Sequence, residues 1–167
     1  VFALNYAPAE SVRAGLASVL RAGALVPVLA TVGFRVVMYD NREELAKKEN
    51  YPMASEVIFG SFSDIFGKVA LTANDYAVVM TPGHQADYEI LSQVLGSDAT
   101  YIGCIGSRTK VAKTRERLKC DGYTEEDIAR VHAPIGLPIL AETPEEIAIS
   151  IAAEMIEHRA RLAGQRH

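Results

Sequence analysis

The sequence predicts an α/β protein with a doubly wound, mainly parallel sheet and helices on both faces. Three observations predict it. Short apolar runs rich in β-branched and aromatic residues recur at 34–39, 56–59, 75–81 and 101–105, the signature of buried strands. Each run ends on residues that favour turns: Asp40-Asn41, Gly60-Ser61, Pro82-Gly83-His84 and Gly106-Ser107. Segments with helical patterning separate them, and strands joined through helices pair in parallel by right-handed crossovers.

A chain of 167 residues fits one domain, and residues 1–167 are read as a single unit, with the assignment of 1–23 left open. Hydrophobic residues make up 49%, charged residues 23%, and the formal net charge is −4, a balance that excludes a disordered or strongly basic protein. No run approaches the roughly 18 apolar residues of a membrane span, and no signal peptide is recognisable, so the expected address is cytoplasmic. Trp is absent and the cations Arg108, Lys110, Lys113, Arg115, Arg117 and Lys119 read as one solvated helix face, so no nucleic-acid partner is expected. Cys104 and Cys120 lack metal-type spacing, and Cys104 is expected to pack inside its strand.

Taken in order, residues 1–6 can form a strand, with residues 16–20 as the alternative strand in a second parse. Either way the segment ending at Val32 reads as a helix, capped by Gly33 and containing Pro27, which would kink it or mark its first turn. Residues 34–39 follow as a strand, then a helix over 42–48, a short strand at 56–59, and an undecided segment at 63–69. The strand at 75–81 leads through Pro82-Gly83-His84 into a helix over 86–95. The strand at 101–105 stops at Gly106. Ser107 is a good N-cap for a helix that ends at Asp121-Gly122. Thr124 opens a short acidic helix to about Arg130, and the Pro and Gly of residues 132–138 favour a fixed loop. Thr143-Pro144-Glu145-Glu146 combines an N-cap, a first-position proline and a capping-box glutamate. It starts a final helix with Ile147, Ala148, Ile151, Ala152, Met155 and Ile156 on its buried side. Phe62, Ile65 and Phe66 would form an interface or cover the sheet.

In a doubly wound sheet ligands bind outside the carboxyl ends of the strands. Four such ends carry candidate residues: Asp40 with Asn41, Gly60, Thr81 to His84, and Gly106 with Ser107 and Arg108. Ser107 at a helix start, flanked by the cations Arg108 and Lys110, makes an anion site from free backbone N–H groups and positive charge. Asp40 either grips a ribose hydroxyl or closes an Asx turn. Asp87 either orients His84 or caps its helix. A dinucleotide enzyme needs G-x-G-x-x-G after its first strand, and only Arg21-Ala22-Gly23-Ala24 occupies the corresponding place. NAD(P) is therefore the lesser expectation, and no nucleophile elbow, HExxH helix or P-loop supplies a catalytic apparatus.

Four segments carry a family resemblance: Thr81-Pro82-Gly83-His84 with Asp87; Tyr101-Ile102-Gly103-Cys104-Ile105-Gly106-Ser107-Arg108-Thr109-Lys110; His132-Ala133-Pro134-Ile135-Gly136-Leu137; and Thr143-Pro144-Glu145-Glu146-Ile147-Ala148 with Ser150-Ile151. In order and spacing they resemble the signatures of the XdhC/CoxI family, from about Ala24 to the C-terminus, and specifically its Rossmann-like C-terminal domain. The resemblance implies an accessory factor, not an enzyme, for xanthine dehydrogenase-type molybdenum hydroxylases. Such a factor binds molybdenum cofactor transiently, protects it during sulfuration and delivers it. The implied partners are the molybdenum hydroxylase apoenzyme and a cysteine desulfurase-type sulfur donor, with a homodimer also compatible. The implied cofactor-binding residues are Asp40, Gly83, His84, Gly106, Ser107, Arg108, Lys110 and His132, with the two histidines facing the pterin or the oxo groups of the metal. The chain departs from the family in a shortened glycine-rich loop between Leu20 and Ala24, and in lacking the N-terminal cysteine-containing domain. An NAD(P)-binding oxidoreductase and a Rossmann-like interaction module are the alternatives.

Overall fold

Six strands among the described residues form one sheet: β1 (Phe2–Asn5), β2 (Arg35–Asp40), β3 (Glu56–Phe59), β4 (Asp75–Val79), β5 (Tyr101–Cys104) and β6 (Val131–His132), in the order β3-β2-β1-β4-β5-β6. The computed structural model describes residues 2–5, 19–81 and 83–164. β2 pairs in parallel with β3, and β4, β5 and β6 pair in parallel with one another. β1 runs antiparallel to both β2 and β4, with Phe2 opposite Met38 and Val78, and Asn5 opposite Arg35 and Asp75. The mainly parallel, doubly wound prediction holds, with β1 as the reversed strand. Reversal carries the end of β1 to the edge where β2 and β4 begin, opposite the edge to which a dinucleotide fold delivers its first glycine loop.

Helices cover both faces. α1 (Val19–Thr31) and α5 (Pro144–Gly164) pack together on one face, over Val36, Met38, Tyr76, Val78 and Tyr101. α2 (His84–Val94), α3 (Arg108–Cys120) and α4 (Glu125–Ala129) lie on the other, over Ala77, Val79, Ile102 and Cys104. The alternation of side chains along each strand feeds both cores, so the central strands are buried on two sides and read as continuous apolar runs.

Local signals set the helix ends. In α5, Thr143 Oγ1 accepts from Glu146 N at 3.2 Å while Glu146 Oε2 accepts from Thr143 N at 3.0 Å, the reciprocal cap expected from sequence. Thr124 and Asp127 make the same box at α4. α1 ends at Gly33, whose φ of +89° lets Phe34 N donate back to Leu29 O at 2.9 Å.

Several expectations are corrected. Residues 42–48 make turns followed by one 3-10 turn (Lys48–Asn50), not a helix, because the segment has no apolar stripe to bury. Residues 19–31 are helix, so the parse with a strand at 16–20 fails over Val19 and Leu20, and positions 21–23 are helical rather than a shortened loop. The rest of that parse falls on 6–18, outside the described residues. Val131 and His132 form a strand at the start of the expected loop. Phe62 and Ile65 are buried over the sheet, whereas Phe66 is exposed. On α5, Ile156 is exposed and Ser150 takes a buried place. No helix among the described residues is long and apolar enough to cross a membrane.

Candidate functional site

The carboxyl ends of β2, β3, β4 and β5 lie along one edge of the sheet and bring together most of the residues singled out from sequence. At β2, the buried Asp40 is already engaged. Its Oδ1 accepts from Arg42 N and Arg42 Nε, each at 2.9 Å, and its Oδ2 lies 2.8 Å from Arg42 Nη2. This is the Asx turn, reinforced by a guanidinium whose pKa is raised first of all by its hydrogen bond to Asp40. A ribose hydroxyl would have to displace that pair.

At β4, Gly83 is the N-cap of α2 and offers no side chain to the first N–H groups of the helix. A Cβ placed on Gly83 would meet nothing within 4 Å, so this position is unobstructed. His84 is the first residue of α2, two positions earlier than the sequence suggests. Asp87, only 1% exposed, accepts from Thr81 N at 3.2 Å and from the Thr81 hydroxyl, and its Oδ2 pairs with Lys110 Nζ at 2.5 Å. Asp87 thus ties the β4–α2 turn to α3.

At β5, Ser107 caps α3 through its hydroxyl, which accepts from Lys110 N at 3.3 Å. The stem of Lys110 crosses back over Gly106, where a Cβ would sit 3.2 Å from Lys110 Cδ. The missing side chain at Gly106 makes room for the lysine that reaches Asp87. Lys110 therefore spends its charge inside the fold. Arg108 is exposed and makes no hydrogen bond or ion pair among the described residues. Cys104, beneath this turn, is buried, and its thiol is pushed up to about 12 by burial and then by Asp87. What the edge offers a ligand is two neighbouring helix starts, α2 and α3, and one unpaired guanidinium, a combination suited to a phosphate.

His132 stands apart. Its register partner is Gly103, and its ring stacks on Tyr101 at 4.5 Å on the α1/α5 face, whereas α2 and α3 occupy the other. Its Nδ1 lies 2.6 Å from Glu154 Oε1, and Glu154 also accepts from Gly136 N. Burial alone would raise the Glu154 pKa, but the hydrogen bonds from His132 and Gly136 outweigh it and hold the carboxyl below its usual range. His158 lies beside them, its ring 5.9 Å from that of His132, and its pKa is lowered by burial and then by His132. Sequence reasoning missed Glu154 and His158. The available signal was a polar stripe, Ser150, Glu154 and His158, at i, i+4 and i+8 beside the apolar stripe of α5. Among the described residues no group of three or more His, Cys, Asp or Glu side chains is placed to hold a metal.

The family model described as the XdhC Rossmann domain matches residues 18–155. The chain belongs to that family. It is 32% identical over 139 residues to a probable xanthine dehydrogenase subunit of Bacillus subtilis, covering 83% of this chain and 40% of the relative. It is 31% identical over 135 residues to the uncharacterized protein YqeB of Escherichia coli, covering 80% of this chain and 25% of that one. A crystal structure of a xanthine dehydrogenase from Bacillus halodurans superposes with a TM-score of 0.78 at 32% identity, over 93% of this chain and 44% of that chain. The chain thus spans between a quarter and under half of these relatives. The family match covers the α2, α3 and β6 segments that carry the edge and the His132 loop.

Proposed function

We propose that this chain is an accessory Rossmann domain for xanthine dehydrogenase-type molybdenum hydroxylases, and that it holds molybdenum cofactor by its phosphate at the α2 and α3 helix starts. The observation that carries this reading is the unobstructed Gly83 position next to the Ser107-capped helix with Arg108 exposed, within a chain that matches the XdhC Rossmann domain from 18 to 155. Backbone N–H groups of α2 and α3 would bind the phosphate oxygens, and Arg108 would add a charge-assisted bond. Gly106 and Lys110 would shape the turn rather than touch the ligand, and His84 stands at the head of α2. When bound, the cofactor supplies the molybdenum centre of the enzyme it is destined for. This chain's residues bind and shield it, and the apoenzyme and a cysteine desulfurase-type sulfur donor are the partners this role requires.

The test is anaerobic gel filtration of the protein mixed with molybdenum cofactor. Co-elution is expected, with retention reduced by Arg108→Ala, and a folded sample that fails to retain cofactor would sink the reading. NAD(P) binding is the competing reading, and the Asp40–Arg42 pair and the reversed β1 speak against it. Calorimetric titration with NAD(H) and NADP(H) separates the two, since saturable heat would favour the dinucleotide.

A further inference from the structure

A second cleft, of about 230 Å³, opens outside the edge strand β6 and is lined by His132, Gly136, Leu137, Glu154, Glu157, His158 and Arg161. The loop from His132 to Leu137 is fixed at nearly every residue. Ile135 N donates to Cys104 O at 3.1 Å, and the Ile135 side chain packs where Gly103 lacks one. Gly136 N donates to Glu154, and Leu137 is locked to Ser150 by bonds in both directions, N to O at 3.2 Å and Ser150 Oγ to Leu137 O at 2.7 Å. Gly136 itself has φ +100°, and a Cβ there would collide with Ser150.

The outcome of this bracing is an imidazole in one orientation. Tyr101 backs its ring, and Glu154, whose side chain is 14% exposed, accepts the hydrogen bond from Nδ1. In the neutral imidazole Nε2 is then the acceptor, on a side chain that is 37% exposed and lines the cleft, with no protein partner among the described residues. His158 Nε2, behind it, is also buried without a partner. The cleft carries two carboxylates, Glu154 and Glu157, against the single guanidinium of Arg161, which pairs with Glu157 at 2.5 Å. With neutral histidines this wall is net negative and rich in acceptors, opposite in character to the α2/α3 edge.

We propose that this cleft is a second ligand site, one that takes a small N–H-donating cation of the amidine class through His132 Nε2 and the Glu157 carboxylate. The site lies on the other face from α3, so the proposal does not rest on the cofactor reading.

The probe is benzamidine, with benzoate as its anion of the same shape, titrated into the full chain while the His132 Cε1–H resonance is followed. Benzamidine is expected to shift that resonance saturably, binding at least about tenfold more tightly than benzoate. Glu157→Gln, at a half-exposed position, should weaken benzamidine about threefold without changing the melting temperature. His132→Phe keeps a ring on Tyr101 but removes Nε2, and should abolish the response of neighbouring resonances. The proposal is overturned by no saturable shift at ten-millimolar-scale benzamidine, by equal binding of benzoate, or by binding that survives His132→Phe. Should His132→Phe fail to fold, the wild-type comparison of cation with anion decides alone. A dyad that serves only to tie α5 to β6 would lower stability on mutation yet give nothing to saturate.

Discussion

The α2/α3 edge and the β6/α5 cleft use opposite halves of the chain's polar chemistry. At the edge the side chains are consumed: Asp40 holds Arg42, Asp87 holds Thr81 and Lys110, and Ser107 holds Lys110 N. What remains is backbone N–H and one arginine, which read charge without reading shape. At the cleft the backbone is consumed, through Ile135 N, Gly136 N and Leu137 N, and what remains is an oriented imidazole nitrogen beside the half-exposed Glu157 carboxylate, which is shared with Arg161. A turn whose side chains face inward suits an anion common to many ligands. A loop braced to aim one side-chain atom suits a ligand of one chemistry. The contrast can be broken at either end by mutation.

The largest effect is expected at the edge. Asp87→Ala removes a carboxylate that is 1% exposed and leaves Thr81 N–H and the largely buried Lys110 ammonium without their acceptor, while the Thr81 hydroxyl keeps Gly83 O. Breaking a buried pair from one side costs on the order of 3 kcal/mol. Chemical denaturation should show a loss of that size, partly restored when Lys110→Met is added, because the double variant leaves no orphaned charge. Equal losses in single and double variants would mean that the pair is not coupled.

Next is the cleft's own hinge point. Gly136→Ala forces a side chain into a φ of +100° and against Ser150, for a cost of about 2 kcal/mol. It should also unseat Glu154 and so change the His132 resonance, whereas the Gly106 turn across the sheet should keep its spectrum. A spectral change confined to the α3 turn would contradict the separation of the two regions.

How much of this was legible in the sequence depends on distance along the chain. The edge was legible because each piece is local: a strand, a turn and an N-cap lie within about seven residues, and Ser107 caps α3 as its position suggests. The pairing of Lys110 was not legible because its partner, Asp87, lies 23 positions earlier and only the folded structure brings the two together. β6 was missed because two residues carry no periodicity, and the reversal of β1 was missed because orientation is set by tertiary pairing. The His132–Glu154 partnership spans 22 residues and two elements, so no local pattern reveals it.

The regions also differ in acid. The pKa of His158 is lowered by burial, so the unfolded chain takes up a proton near the ordinary histidine pKa of about 6.5 and the folded chain does so only at lower pH. The unfolded state then binds more protons, so stability present above that pH falls as the pH drops toward the folded value. Glu154 adds a second loss in the same direction below about 4.5, because its folded pKa is also depressed. Melting temperature against pH should therefore decline in two stages, and His158→Gln should flatten the first. An unchanged first stage in that variant would assign it elsewhere.

The smallest stability effect is expected at Arg108, and that smallness makes it informative. The side chain is exposed, makes no ion pair or hydrogen bond among the described residues, and sits at the start of α3, where a positive charge opposes the helix dipole. Arg108→Ala should leave the melting temperature unchanged or raise it slightly, within about 0.5 kcal/mol. On the proposed phosphate reading, an anion bound beside Arg108 would restore favourable electrostatics at the same helix start. Unchanged stability with weakened cofactor retention is the expected pair of results. Lys110→Ala should give the reverse emphasis, a marked loss of stability, because its ammonium is already committed to Asp87. Matching losses of stability in the two variants would show that the division between structural and ligand-facing cations at this turn is wrong.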